Sequence, residues 1–116
     1  MMARKRWVTE MGMGVDVHGG DYTKAACRAV QDAIHHSSLN FFRALGKSPS
    51  DMFITVKIGA AAPDQVDQEA VAAQLPYGTV EVEVCQGGLD VPNDLGDDLM
   101  VIVNAAVLVA MEEAPT

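Results

Sequence analysis

The sequence predicts a single α/β domain over residues 1–116, a mixed four-stranded sheet in β-α-β-α-β-β order with two helices on one face. Three observations predict it. Alternating apolar positions recur over Arg6–Val15, Met52–Ile58 and Thr79–Cys85, and a run apolar on both faces fills Leu99–Val109. Two stretches of helical spacing separate the first three runs. The chain has 116 residues, 49% hydrophobic but only 5% aromatic, so one core of Val, Ala, Ile, Leu and Met is expected.

Each element follows in order. In Arg6–Val15, residues Trp7, Thr9, Met11, Met13 and Val15 share one face, and Val8, Glu10, Gly12, Gly14 and Asp16 the other. Asp21 is placed to cap a long helix that ends near Gly46, with Ala26, Val30, Ala33, Ile34, Phe41 and Leu45 at helical spacing and Ser37-Ser38 loosening its middle. Lys47–Asp51 reads as a turn and Met52–Ile58 as the second strand. Pro63 suits the first turn of a second helix running to Leu75, broken by Pro76-Tyr77-Gly78. Thr79–Cys85 is the third strand, and Gln86–Asp98 a Gly-, Pro- and Asp-rich loop. Leu99–Val109 is the fourth strand, with Val101, Val103 and Val107 on one side and Met100, Ile102 and Leu108 on the other.

Helical crossovers imply parallel neighbours, and the closing strand turns back antiparallel. Two helices cover one face of such a sheet, yet the last strand is apolar on both. A second copy of the chain is the expected cover, so a homo-oligomer is predicted.

Composition excludes several functions. Sixteen acidic residues against eight basic give a net charge of −8, the wrong sign for a nucleic-acid backbone. Arg4-Lys5-Arg6 is too short to overturn this and reads as a solvated strand edge. Cys27 and Cys85 lack metal or redox spacing and read as reduced core thiols. Met1–Met13 carries charges where a signal peptide needs apolar residues. The apolar stretch Leu99–Met111 is shorter than the roughly 20 residues of a membrane span, and Asn104 interrupts it. A cytoplasmic protein that binds neither membrane nor nucleic acid is expected.

One segment carries chemistry: Gly12-Met13-Gly14-Val15-Asp16-Val17-His18-Gly19-Gly20-Asp21. Alternate glycines bare one strand face to a backbone, a helix or a ligand. Asp16 and His18 fall on that parity, Gly19-Gly20 turns the chain into the Asp21 cap, and Lys24 follows in the first helical turn. The pattern is neither the dinucleotide fingerprint nor a Walker loop. Asp16 and His18 suit a base with its orienter, or two ligands of a divalent metal needing more from Asp21, His35, His36 or another subunit. The plainer alternative is that Asp16 caps the turn and orients His18 while the glycines allow tight packing.

Elsewhere the signals are weaker. His35 and His36 point about 100° apart on a helix and read as a solvated or interface pair. Asp90, Asp94, Asp97 and Asp98 lack calcium-loop spacing, forming a soluble loop or a lid over a neighbour's cleft. Asn104, the amide in an apolar strand, is expected to be buried and therefore hydrogen-bonded, either to the Gly12–His18 turn or to a ligand. No serine has a nucleophile-elbow context, and Cys27 reads as packed.

The chain resembles a small conserved-hypothetical family whose signature, G-x-G-x-D-x-H-G, is met by Gly12, Gly14, Asp16, His18 and Gly19. Asp21–Ala26, Pro63–Asp67, Leu75–Gly78 and Val103–Ala106 are also similar to it. The resemblance implies no established activity. The element order further resembles chorismate-mutase-like and YjgF-like folds, in which three sheets close around an axis with ligands between subunits, so a trimer is favoured.

The site expected from these readings lies between protomers. Asp16, His18 and Lys24 are the candidate catalytic residues. Gly12, Gly14, Gly19, Gly20, Asp21 and Asn104 are the candidate ligand-binding residues. Asp16 or His18 serves as base, and Lys24 with the helix amides holds a small anionic metabolite. Hydrolase, lyase or isomerase chemistry would fit, with a non-catalytic metabolite- or metal-binding oligomer, or a purely structural one, as the rivals. The residues do not identify a cofactor.

Overall fold

The computed structural model describes residues 3–35, 48–75 and 77–113. Strand β1 (Ala3–Asp16) leads into helix α1 (Tyr22–His35). A 3-10 turn at Pro49–Asp51 precedes β2 (Phe53–Ala60), and a second at Pro63–Gln65 precedes the short helix α2 (Gln68–Ala72). β3 (Thr79–Gln86), β4 (Leu89–Pro92) and β5 (Leu99–Glu113) complete the order.

The sheet is ordered β1-β5-β2-β3, with β4 pairing β5. β5 runs antiparallel to both β1 and β2, and β2 is parallel to β3. It therefore has five strands rather than four. Leu89–Pro92, read from sequence as loop, pairs with Leu99–Ile102 where β5 extends past the end of β2. The second helix is likewise divided: the Asp67 carboxylate accepts from the Glu69 and Ala70 amides and starts α2 afresh, leaving Pro63–Gln65 as a separate turn. The part of the long first helix expected beyond His35 lies outside the described residues.

One face of the sheet carries both helices. Val101, Val103, Ala105, Val107, Val109 and Met111 of β5 point into it with Ile54, Val56 and Ile58 of β2. Ala25, Ala26, Ala29 and Ala33 of α1 meet them with no exposed surface. Four alanines over two strand glycines let the helix axis approach the sheet very closely.

The opposite face is open. Met11 and Met13 are 73% and 53% exposed there, beside Ala106 and Asn104 in the β1–β5 register. Asn104 is thus an exposed amide and not a buried one. Cys85 is exposed and Cys27 half-buried, so only Cys27 resembles a core thiol, and burial pushes that thiol up. Trp7 departs from the expected alternation. The register slips between Arg6 and Val8, and this one-residue bulge packs Trp7 against the core.

The outer edge of β1 is blunted near its end. Met13 donates its amide to Asp32 Oδ2 at 3.0 Å, and Arg28 Nη1 donates to the Val15 carbonyl at 2.7 Å. Both partners stand on α1, so no further strand can pair there.

Candidate functional site

Asp16, the last residue of β1, turns its carboxylate inward and is 4% exposed. Oδ2 accepts from the Asp21 amide at 2.9 Å, while Lys24 Nζ and Arg28 Nη1 each stand 3.8 Å from Oδ1. A hydrogen bond and two cations offset its desolvation. The carboxylate thus ties the strand end to the helix start. Asp21 caps α1, its own carboxylate accepting from the Lys24 amide at 3.0 Å. Gly19 and Gly20 between them take φ of 92° and 62°, a left-handed pair that glycine supplies without strain.

His18 is not brought to Asp16. Its side chain is 84% exposed, and Nδ1 lies 2.8 Å from Asp98 Oδ2. Asp98 Oδ1 accepts from the amides of Gly19 and Leu99, each at 2.9 Å. Those amides and the imidazole hold the Asp98 carboxyl at about 2, with the Gly19 amide the largest cause, then His18 and Leu99. The supporting loop is built by Asn93. Its Oδ1 accepts from the Asp97 and Asp98 amides at 3.1 and 3.3 Å, and its Nδ2 donates to Asp97 at 2.6 Å. With Asp98 accepting at Nδ1, the exposed imidazole turns its Nε2 edge outward.

The sequence reads Asp98 as part of an acidic loop or of a lid over a neighbour's cleft, and the strand register locates it. Asp16 stands opposite Val101 in an antiparallel pair, so the residue ahead of Leu99 arrives beside the His18-Gly19 turn. In the same region the Tyr22 hydroxyl donates to Asp90 Oδ2, which ties α1 to β4 and, with burial, pushes the phenol up to about 12.

Two concavities flank Asp98. One, about 220 Å³, is bounded by Val17, His18, Val91 and Met100. The other, about 540 Å³ and more open, is bounded by Gly19, Gly20, Tyr22, Gln65 and Asp97. A separate cavity of about 430 Å³ lies at the far end of α1, between Glu10, His35, Met52, Gln74 and Val109. Asn104 borders a shallow hollow on the open face with Met11, Lys57 and Cys85, distant in register from His18. Gly12 and Gly14 lie under α1, and its backbone fills the space they leave. His35 is exposed at the end of α1, and His36 lies outside the described residues. Among the described residues no three His, Cys, Asp or Glu side chains gather as a metal site, and no helix is long and apolar enough to cross a membrane.

The acid titration of Asp98 gives a direct check. Its folded value lies below the ordinary 3.8, so its contribution is complete above that value and is lost as pH falls through about 2. Carbon-detected NMR should show the Asp98 carboxyl titrating near the lower value while the Gly19 and Leu99 amide shifts move with it. Asp98→Asn should remove that inflection. An Asp98 midpoint near its ordinary value would show that the two amides do not hold it.

Comparison with known proteins completes the description. A family model described as conserved hypothetical protein (Lin0512_fam) matches residues 6–109. The crystal structure of an FtsZ-like protein of unknown function from Nostoc punctiforme is 43% identical, with a TM-score of 0.85 over 97% of this chain and 100% of that one. No curated protein matches.

Proposed function

For a chain that belongs to the conserved hypothetical family Lin0512_fam, we propose a homo-oligomer with a small-molecule site at the junctions between protomers, built on His18 and Asp98. The observation that carries this reading is the exposed imidazole whose Nδ1 is anchored 2.8 Å from a carboxylate itself fixed by two backbone amides. A histidine held in one tautomer on a rigid carboxylate is the arrangement a general base requires. His18 Nε2 takes the proton and Asp98 positions the ring, in chemistry of hydrolase, lyase or isomerase type.

Continuity of the apolar surface supports a position between protomers. Val17, Val91 and Met100 line the His18 hollow, and Val17 and Val91 are themselves exposed. They continue the open sheet face past Ile102 toward Met13 and Met11. A copy covering that face would wall the hollow. The placement of β5 between β1 and β2, antiparallel to both, supports the chorismate-mutase-like or YjgF-like reading and with it a trimer.

Local charge refines the ligand. Lys24 and Arg28 are turned to Asp16, and Asp97 and Asp98 line the hollows. A neutral or cationic small molecule suits this field better than the anionic metabolite expected from sequence. The same geometry favours one alternative, non-catalytic metal binding, since a carboxylate behind an outward imidazole nitrogen is how metal-ligating histidines are oriented.

A ligand-observed NMR screen of neutral and amine fragments, with Zn²⁺ as a separate arm, tests the site. Binders should shift the His18 ring resonances and lose at least about ten-fold in affinity in His18→Ala, a loss of about 1.4 kcal/mol. Binders indifferent to both His18→Ala and Asp98→Asn would refute the site.

A further inference from the structure

The two edges of the sheet are unlike each other in charge and alike in direction. β1 and β3 are the edge strands. Since β1 is antiparallel to β5, β5 to β2, and β2 parallel to β3, the two edges run the same way. On the open face β1 displays exposed Arg4 and Arg6, and β3 displays exposed Glu81 and Glu83. The parity is shared: Arg6 stands opposite Ala110, Ala110 opposite Phe53, and Phe53 opposite Thr79. Both pairs are spaced by two residues, so a parallel register brings the two arginines to the two glutamates.

We propose that protomers of this chain join edge to edge, β1 of one adding in parallel to β3 of the next, with Arg4 and Arg6 facing Glu81 and Glu83. This rests on the oligomer proposed above and names its contact. The length of usable edge agrees. Asp32 and Arg28 occupy the outward groups of Met13 and Val15, which confines pairing to the first part of β1, a stretch comparable to the eight residues of β3. Self-pairing of β3 is disfavoured, because an antiparallel match about Val82 sets Glu81 against Glu83. A head-to-tail contact either closes into a ring or grows a filament. Curling toward the open face buries Met11, Met13, Ile102 and Leu108 inside a ring, whereas a flat array leaves them wet, so closure is favoured.

Charge at the edge is used lightly within the chain. Lys57 Nζ lies 3.7 Å from Glu83, with both side chains more than half exposed, and such a pair contributes little. Arg4 lies over the Phe53 ring at 3.9 Å and opposite Glu112. Arg6 and Glu83 are the probe pair, since a parallel register that sets Arg4 on Glu81 sets Arg6 on Glu83, and the cross-strand neighbour of Arg6, Ala110, carries no charge.

Sedimentation and light scattering of the full chain test the contact. Arg6→Glu and Glu83→Arg should each raise the concentration at half-assembly by about ten-fold, because each sets like charges across the new pairing. The double variant Arg6→Glu/Glu83→Arg should return toward the wild-type midpoint, and mixing the two single variants should yield mixed complexes. Circular dichroism confirms folding of each. Wild-type oligomers unmoved by both reversals, or reversals not rescued by the double variant or by mixing, would overturn edge pairing and leave the oligomer standing. A wild-type monomer at high concentration would overturn both.

Discussion

Gly14→Ala is expected to lose about 3 kcal/mol of stability or more, read as a lower urea midpoint at unchanged slope. A Cβ at position 14 would lie 2.0 Å from the Ala25 carbonyl oxygen and 2.4 Å from the Ala29 amide nitrogen. Those are backbone atoms of α1, so no change of rotamer relieves the clash. The helix must rise, and Ala25, Ala29 and Ala33 then lose contact with the sheet together. Gly12 stands in the same position one step along, 2.4 Å from both the Ala29 oxygen and the Ala33 nitrogen. Gly12→Ala/Gly14→Ala should therefore fail to fold. Gly96→Ala is the control. Its φ of 72° makes alanine awkward, yet nothing lies within 4 Å of an added Cβ, so a loss of about 1 kcal/mol is expected. Equal losses at Gly14 and Gly96 would refute the close seating of α1 on β1.

Met11→Asp/Met13→Asp is expected to convert the proposed oligomer to monomer without unfolding it. Both side chains are exposed in the isolated chain, so a carboxylate there costs the monomer almost nothing. Against a partner's apolar face each carboxylate would be stripped of water without a counter-charge, at several kcal/mol. Two such groups per protomer should weaken assembly by at least about 10³-fold, some 4 kcal/mol. Light scattering across a dilution series reads the mass, and the urea midpoint of the dissociated chain checks that the fold is intact. Retention of the wild-type mass would show that the open face lies outside any interface, and the siting of His18 between protomers would fall with it.

Much of this molecule could be read from residue order. Strict alternation located β2 and β3 almost to the residue, because one face of each packs against the core and the other is more exposed. The doubly apolar β5 announced an uncovered sheet face, and Asp21 announced the start of α1. Trp7 was misplaced since an extra apolar residue leaves an apolar pattern looking intact while reversing its parity. β4 escaped because four residues ending in proline, beside Gly87-Gly88, have a turn's composition; β5's overhang alone makes them a strand. Asn104 was expected to be buried because its sequence neighbours are apolar, although its face of the strand is the open one.

The site divides the same way. The glycines, the buried carboxylate and the imidazole of the Gly12–Asp21 segment stand close together in the chain, and their local roles follow from strand parity and turn chemistry. The partner of His18 does not, for Asp98 is eighty residues away along the chain and reaches the imidazole through the antiparallel register of β1 with β5. By itself the sequence determined which faces are apolar, where the chain turns, and which residues gather in one short segment, because these depend on neighbours within a few positions. Tertiary structure alone decided that a helix fills the bared glycine face, that Asp16 is held inward by Lys24 and Arg28, and that Asp98 orients His18. Those outcomes are set by pairing between distant segments, for which local periodicity carries no information.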